Sequence, residues 1–360
     1  MTTAHAEPTT PAPLDLAAIR TRVDDELRHF LRDKATGTEP ALPDELTDTV
    51  YGFLFAGGKR IRPLLCVLGW HAAGGGTPVP PPIVRAAASL ELFHAAVLMH
   101  DDIIDNSDTR RDHPTVHRTL AARHQNRRDP DRFGADAAIV LGDLTMVWSA
   151  ELLHTAQLTA TQLSAALTVL DGMRADVMYG QYLDLLTTGR PSRDLDRAMR
   201  IIRYKTVSYT CDRPLQLGTV LAGAHRGVRE ALTAYAGPLG EAFQLQDDLL
   251  GVYGDPARTG KSDLEDLRDG KHTALVALAL EHAPAAQSAQ LLALLGNPEL
   301  DNRQADTCRE ILTATARPRV EAMIRTRWAQ ANRALDDAPI PAAVSQALRH
   351  IADVVVSRNT

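Results

Sequence analysis

Apolar residues recur at intervals of three and four along most of the chain, most clearly in AAIRTRVDDELRHFLR, LLHTAQLTATQLSAALTVLDGMRADVMYGQYLDLL and VEAMIRTRWAQANRALDD. That spacing puts them on one face of an α-helix, and the alternating Val, Ile and Thr runs that mark strands are almost absent. Turn-forming residues collect between the periodic segments, at AAGGGTPVPPP (72–82), RHQNRRDPDRFG (123–134), TTGRPSRD (187–194), GDPARTGKSDLEDLRDGK (254–271) and GNPELDN (296–302). None of these breaks is long enough to join separate domains, and no short repeat of the solenoid kind occurs. The pattern predicts an all-α fold, one large helical domain over residues 15–360 preceded by a disordered tail over 1–14.

One segment departs from simple amphipathicity. LELFHAAVLMHDDIIDNSDTRR, Leu90 to Arg111, is almost continuously apolar and then sets Asp101, Asp102 and Asp105 together with no Gly or Pro between them. On a helix, residues four apart share a face, so Asp101 and Asp105 project side by side from the C-terminal end of a predicted helix Leu90–Ile104. A helix C-terminus already carries partial negative charge, and two carboxylates placed there repel unless a cation neutralises them. Oxygen-only ligands, with no Cys nearby and with His100 on another face, favour Mg2+ over zinc. For one such motif alone, the plainer alternative is a solvated acidic helix end.

Composition then narrows the classes of function. The chain has 360 residues, 44% apolar and 23% charged, enough to bury a large core. A formal net charge of -6 gives no general reason to expect nucleic acid, so any bound anion must be held by a local cluster of cations. Cys66, Cys211 and Cys308 lie far apart without a CxxC pair, which speaks against a zinc site or a disulfide framework and fits a reducing cytosol. The opening residues MTTAHAEPTTPAPLD have neither a cationic n-region nor an apolar h-region, and no charge-free run of about 18 apolar residues occurs. Neither a signal peptide nor a transmembrane segment is expected, and the expected location is cytoplasmic.

A second acidic cluster changes the reading of the first. EAFQLQDDLLGVYGD again follows a helical apolar run with a double acid, Asp247 and Asp248, with Gln244 one turn earlier. Carboxylates facing each other from two helices of a bundle make a multi-Mg2+ site suited to gripping a diphosphate. Cations occur in matching places: Lys59, Arg60 and Arg62 after a Gly pair in GGKRIRP, Arg110 and Arg111 just past the first acids, then Lys205, Lys261 and Lys271. Arg forks and Lys point charges beside Gly-rich turns suit phosphate oxygens. Each alone reads equally well as a surface charge.

Together these motifs resemble the trans-isoprenyl diphosphate synthases, the polyprenyl synthetase family, and among them the geranylgeranyl diphosphate synthases most closely. The resemblance runs in order from about Phe53 to Thr273. It implies an isoprenoid synthase-like helical bundle around a central cavity, a homodimer, about three Mg2+ ions per site, and isopentenyl diphosphate and an allylic diphosphate as substrates. GGKRIRP matches the family's GGKRxRP element, implying Lys59 and Arg62 as ligands of isopentenyl diphosphate, a role that His94 shares. DDIID matches the first aspartate-rich motif, implying Asp101 and Asp105 as Mg2+ ligands with Asp102 in support. Arg110 and Arg111 match the paired arginines that follow it, one for each diphosphate. YGQYLDL resembles GQxxDL, so Gln181 and Asp184 are implied to line the site. YKTVSY matches the KT element, placing Lys205 and Thr206 on the allylic diphosphate or its leaving group. Gln244, Asp247 and Asp248 match the second aspartate-rich motif, GDPARTGK matches the loop whose lysine, Lys261, reaches the allylic diphosphate, and Lys271 follows as a further cation.

Two positions depart from the family. The second motif reads DDLLG, so Gly251 replaces its last acid, leaving Asp247 as the implied ligand of a third Mg2+ and Asp248 as its helper. Asp112 follows Arg111 where the family usually has Gly. In the basic loop, Asp266 of SDLEDLRD best matches the family's acid.

The implied reaction is chain elongation: cations draw off the allylic diphosphate, and the alkene of isopentenyl diphosphate attacks the allylic cation that forms. A terpene cyclase of related fold needs no second diphosphate pocket, and the Lys59, Arg62 and His94 set argues against it. A non-catalytic partner subunit would lack the acids that Asp101, Asp105 and Asp247 supply. An HD-type phosphohydrolase at His100 lacks a second His at a supporting spacing. Product length is expected from the helix below Asp101. The family stops at C15 with a bulky aromatic five residues before the first Asp; here that position is Ala96, beside Val97, and Phe93 one turn deeper is the first large side chain, which predicts the C20 product, geranylgeranyl diphosphate.

Overall fold

The computed structural model describes residues 13–37, 43–255 and 263–356. Residues 1–12 of the expected tail and Lys261 lie outside the described residues, and Leu14, inside that tail, packs on the core instead.

The periodic segments are helices: α1 Leu16–Thr36, α2 Asp44–Phe55, α3 Ile61–Ala72, α4 Pro81–Ile104, α5 Val116–Arg123, α6 Pro130–His154, α7 Ala160–Thr187, α8 Leu195–Ile201, α9 Arg213–Leu221, α10 Arg226–Tyr253, α11 Glu265–Arg268, α12 Ala274–His282, α13 Ala285–Leu294, α14 Asn302–Thr315, α15 Arg317–Ala334 and α16 Ala342–Val356. A π-helical stretch, Ile202–Asp212, joins α8 to α9. The predicted breaks supply the starts. Asp129 accepts the Arg132 amide at 3.0 Å ahead of Pro130; the run read as one helical segment over 152–186 is instead divided, α6 ending at His154 and Thr159 and Gln162 capping α7 reciprocally. The helix expected over Leu90–Ile104 begins earlier, at Pro81, because prolines in the first turn have no amide to lose and a φ already suited to a helix.

The acidic helix α4 is apolar almost all round and forms the centre of the largest of three apolar clusters among the described residues, packing most extensively on α6. Each fully buried Leu or Phe there contributes roughly 1.5–3 kcal/mol. By length and composition alone α4 and α6 could both cross a bilayer; within the fold, 72% of the α4 segment and 44% of the α6 segment is buried. The long helix α10 packs on α15 and on the π stretch instead. The C-terminal ends of α4 and α10, each carrying its acids, therefore flank a space rather than fill it.

Two glycines make room for the π stretch. A Cβ on Gly180 of α7 would stand 2.4 Å from the Lys205 amide nitrogen, and one on Gly240 of α10 would stand 2.8 Å from the Val207 Cα. Only glycine lets both neighbours approach this wider helix so closely. The only strands among the described residues are β1 Thr109–Arg110 and β2 His113–Pro114, an antiparallel ribbon pairing Arg110 with His113. Its two turn residues, Arg111 at φ 55° and Asp112 at φ 63°, are both left-handed, as a two-residue hairpin of the primed type requires. This accounts for the departure at Asp112: the turn favours Gly, and Asp is among the residues that tolerate the left-handed region.

Candidate active site

A cavity of about 1070 Å³ opens between the ends of α4 and α10. Its walls come from the loop before α3, the β1–β2 turn, α7, the π stretch, and the segment through α11 to Thr273. Lys59, Arg62, His94, Val97, Asp101, Asp105, Arg110, Arg111, Asp184, Lys205, Thr206, Gln244, Asp247, Asp248 and Lys271 all line it. Residues spread over more than two hundred positions of sequence thus share one space.

At one end, acids are bridged by lysines. Lys205 Nζ lies 2.7 Å from Asp184 Oδ2 and 3.3 Å from Asp101 Oδ1. Lys271 Nζ lies 3.0 Å from Asp105 Oδ2 and 3.1 Å from Asp266 Oδ1. Burial pulls both ammonium groups down, but Asp101 and Asp184 around Lys205, and Asp266 and Asp105 around Lys271, outweigh it and hold both above their ordinary range. On the facing wall, Thr206 donates to Gln244 Oε1 at 2.5 Å, and Gln244 Nε2 donates to Asp248 Oδ1 at 2.9 Å. Burial pushes the Asp248 carboxyl up to about 7; the Gln244 hydrogen bond opposes this, and Asp266 and Asp247 add to it. Gly251 leaves the space that Asp266 uses, since a Cβ at 251 would stand 1.9 Å from Asp266 Oδ2. The acid missing from DDLLG is thus replaced in space by a carboxylate from α11.

At the other end cations converge. Arg62 lies 4.1 Å over the Tyr209 ring and donates to Thr210 Oγ1 at 2.6 Å, while Arg111 donates to Gly57 O at 2.8 Å. His94 Nδ1 is 2.7 Å from the Tyr209 hydroxyl. Burial, then Arg62 and Arg111, hold the imidazole well below its ordinary range, so it is neutral. With the Tyr209 O–H donating to Nδ1, His94 keeps an Nε2–H to offer an anion.

Several expected residues are placed differently. Asp102 is 0% exposed and is gripped by Arg110, whose Nε lies 2.7 and 2.9 Å from its two oxygens; it does not line the cavity, so its placement supports orienting Arg110 rather than holding metal. Gln181, expected to line the site, does not, whereas Asp184, one turn further along α7, does. Phe93 and Ala96 are fully buried behind the wall, with Phe93 edge-on to Tyr209 at 6.0 Å. His100 points to α6, with Nε2 3.1 Å from Ile139 O, which removes it from any HD-type centre. Tyr209 itself was missed by sequence reasoning. Its signal was present, as the second tyrosine of YKTVSY, but its partners stand more than a hundred residues away.

The acid end offers only oxygen donors and suits a hard divalent cation. Among the described residues no three His, Cys, Asp or Glu side chains are drawn together tightly enough to cage an ion unaided. That agrees with a cation that takes one or two carboxylates and completes its shell with phosphate oxygens and water. The fold and cavity define a helical protein with an acidic and a cationic end to one large cavity. A geranylgeranyl pyrophosphate synthase of Corynebacterium glutamicum, solved with isoprenyl diphosphate and magnesium, superposes with a TM-score of 0.91 at 37% identity, covering 96% of this chain and 100% of that one. A short chain isoprenyl diphosphate synthase of Methanocaldococcus jannaschii is 32% identical over 292 residues, 81% of this chain and 80% of its own. A (2E,6E)-farnesyl diphosphate synthase of Mycobacterium tuberculosis is 32% identical over 274 residues, 76% of this chain and 70% of its own. The polyprenyl synthetase family model matches residues 43–312, and the chain belongs to that family. It is a trans-prenyltransferase, condensing isopentenyl diphosphate with an allylic diphosphate.

Proposed function

We propose that this prenyltransferase uses Mg2+ and makes geranylgeranyl diphosphate. The observation that carries the two-substrate reading is the single cavity in which Asp101 and Asp105 stand across from Asp247 at one end and Lys59, Arg62, His94 and Arg111 converge at the other. Asp101, Asp105 and Asp247 are the proposed holders of about three Mg2+ ions, shared with diphosphate and water. Asp248 acts through Gln244, and Asp102 through Arg110. Bound Mg2+ supplies charge neutralisation for the departing diphosphate. Lys205, Lys271 and Arg110 stand beside that charge, and Lys261 is proposed with them. Neutral His94 donates to isopentenyl diphosphate while Lys59, Arg62 and Arg111 take its charge, which holds the alkene toward the allylic carbon. Val97, Leu98 and Phe243 give the cavity apolar wall that keeps water from a carbocation.

Product length follows from one face of α4. Asp101, Val97 and Phe93 are spaced four apart, so they stack down that face at about 5.4 Å per turn, roughly one prenyl unit. Val97 lines the cavity and Phe93 stands one turn behind it, its ring packed between Tyr209 and Arg174. Val97 is too small to stop the chain, and Phe93 is the proposed floor that a growing chain meets next. A homodimer is proposed from outward apolar residues: Val140 and Val147 on α6, and Met178, Tyr179, Tyr182, Leu185 and Leu186, a helical stripe on α7.

One preparation tests both. Incubation with Mg2+, labelled isopentenyl diphosphate and each of dimethylallyl, geranyl and farnesyl diphosphate should give a product ladder ending at C20. Phe93→Ala should extend it and Val97→Phe should cut it to C15. A wild-type ladder ending at C15, or one unmoved by either substitution, rules out the length reading. Light scattering should return twice the 39.1 kDa chain mass, and a monomer rules out the dimer.

A further inference from the structure

GGKRIRP contains a third cation, Arg60, between Lys59 and Arg62, and both Arg60 and its partner Glu91 stand on the cavity wall. Arg60 turns inward, its side chain 2% exposed. Nε lies 2.7 Å from Asp24 Oδ1 on α1. Nη1 lies 3.1 Å from Glu91 Oε1 on α4 and 3.1 Å from Gly57 O, and Nη2 lies 2.8 Å from Leu54 O in the last turn of α2. A guanidinium has five N–H donors, and these four bonds leave little for a phosphate. They tie together three helices and the loop that carries Lys59.

The loop is wound around two guanidinium groups. Gly57 O accepts from Arg60 and also from Arg111 Nη1 at 2.8 Å. Gly57 and Gly58 sit at φ 122° and 113°, and a Cβ on Gly58 would stand 2.9 Å from Arg60 Nη1 and 3.2 Å from both terminal nitrogens of Arg111. Arg60 itself is left-handed at φ 53°, a conformation that persists in a large side chain only where its surroundings fix it. Glu91 lies one turn before His94 on the same helix, so the ion pair also ties the loop to the helix that presents the imidazole.

Charge supports the same conclusion. Asp24 and Glu91 bring two carboxylates to one buried guanidinium, and the surplus negative charge eases the mutual repulsion of Arg60, Arg62 and Arg111 before an anion arrives.

We propose that Arg60, paired with Asp24 and Glu91, is a positioning residue for the isopentenyl diphosphate pocket, a buried strut that aims Lys59, Arg62 and Arg111 and does not itself bind phosphate. This rests on the pocket assignment made above.

The acid is the discriminating partner. Removing a carboxylate beside an anion pocket should tighten anion binding by simple Coulomb attraction, whereas removing half of a strut should loosen it. The test is calorimetric titration of isopentenyl diphosphate into metal-free wild type, Arg60→Lys, Arg60→Met, Glu91→Gln and the Arg60→Met/Glu91→Gln double variant, alongside KM for both substrates and kcat. Arg60→Lys and Glu91→Gln are each expected to weaken isopentenyl diphosphate about tenfold, with kcat and the allylic KM moving less than about twofold, and the double variant should lose no more than the worse single one. Unchanged or tighter binding in Glu91→Gln, an additive loss in the double variant, or equal losses for both substrates overturns the strut. If Arg60→Met does not fold, the isosteric Glu91→Gln and the charge-keeping Arg60→Lys still decide. A wild type that binds no isopentenyl diphosphate defeats the pocket assignment instead, and inorganic pyrophosphate titrated into the same variants then reads the strut on its own.

Discussion

The two ends of the cavity are built from similar residues and handle charge in opposite ways. At the α4–α10 end, Asp101 and Asp105 are spanned by Lys205 and Lys271, which reach to Asp184 and Asp266 on the far wall. At the α3 end, Arg62 and Arg111 rest on a ring face and a backbone carbonyl, and their nearest balancing acid, Glu91, is taken up by Arg60. The first end must gain cations before it can hold a diphosphate, while the second is already cationic. On the proposed assignment, one enzyme recognises the same chemical group by two routes, through metal where a bond must break and directly where a substrate need only be held. The difference suits the reaction, since metal helps most where charge builds on a leaving group.

The largest effect expected from breaking this contrast is at the acid end. Asp101→Asn or Asp105→Asn should lower kcat by about a thousandfold, since metal stabilisation of a leaving group is worth several kcal/mol. Either variant should still bind isopentenyl diphosphate like wild type in a metal-free titration. Retained turnover with unchanged Mg2+ dependence would falsify the metal assignment.

The cation end should respond less and in a different parameter. Charge-assisted hydrogen bonds contribute roughly 1.5–3 kcal/mol each, so Arg62→Ala and His94→Ala should raise the KM for isopentenyl diphosphate about 10- to 100-fold while the allylic KM stays near wild type. Lys205→Ala should act on the allylic substrate and kcat. Steady-state kinetics with each substrate varied in turn will separate the two patterns, and a reversed pattern means that the two ends have been assigned the wrong way round.

The smallest expected effect concerns pH. Asp248 titrates near 7 in the metal-free fold, above its ordinary carboxyl value, so between that value and about 7 the folded state holds the extra proton. Stability of the metal-free protein should therefore fall as pH rises through that window. Mg2+ favours the ionised carboxylates, so the rise in Tm on adding Mg2+ should be larger at about pH 8 than at about pH 6. Asp248→Asn should flatten that dependence, and a pH-independent Mg2+ shift in wild type would discount the proton linkage.

Much of the contrast was legible in the chain. Asp101 and Asp105, the doubled Asp247–Asp248, Lys59 and Arg62 of GGKRIRP and Lys205 of YKTVSY all line the cavity, because helical periodicity and glycine-rich turns fix local direction. Legibility ended where direction depended on a distant partner. Asp102 reads in the chain as a support for the metal pair while in the fold Arg110 grips it, and Arg60 reads as a third phosphate cation although Asp24 and Glu91 hold it. Gly251 looked like a lost ligand, and only the approach of α11 put Asp266 in its place.

The sequence by itself determined the helical class, the break ahead of Pro130, the side-by-side carboxylates on α4 and the oxygen-only donor set. Each of these depends on residues within one or two turns of one another, where backbone geometry leaves few choices. The tertiary structure alone decided that α4 and α10 flank a space, that a π stretch between Gly180 and Gly240 turns Lys205 toward Asp184, and that Arg60 is held by Asp24 and Glu91 while Arg62 rests on the Tyr209 ring. Those outcomes depend on contacts between residues far apart in the chain, and a long charged side chain takes its direction from whichever partner packing brings within reach.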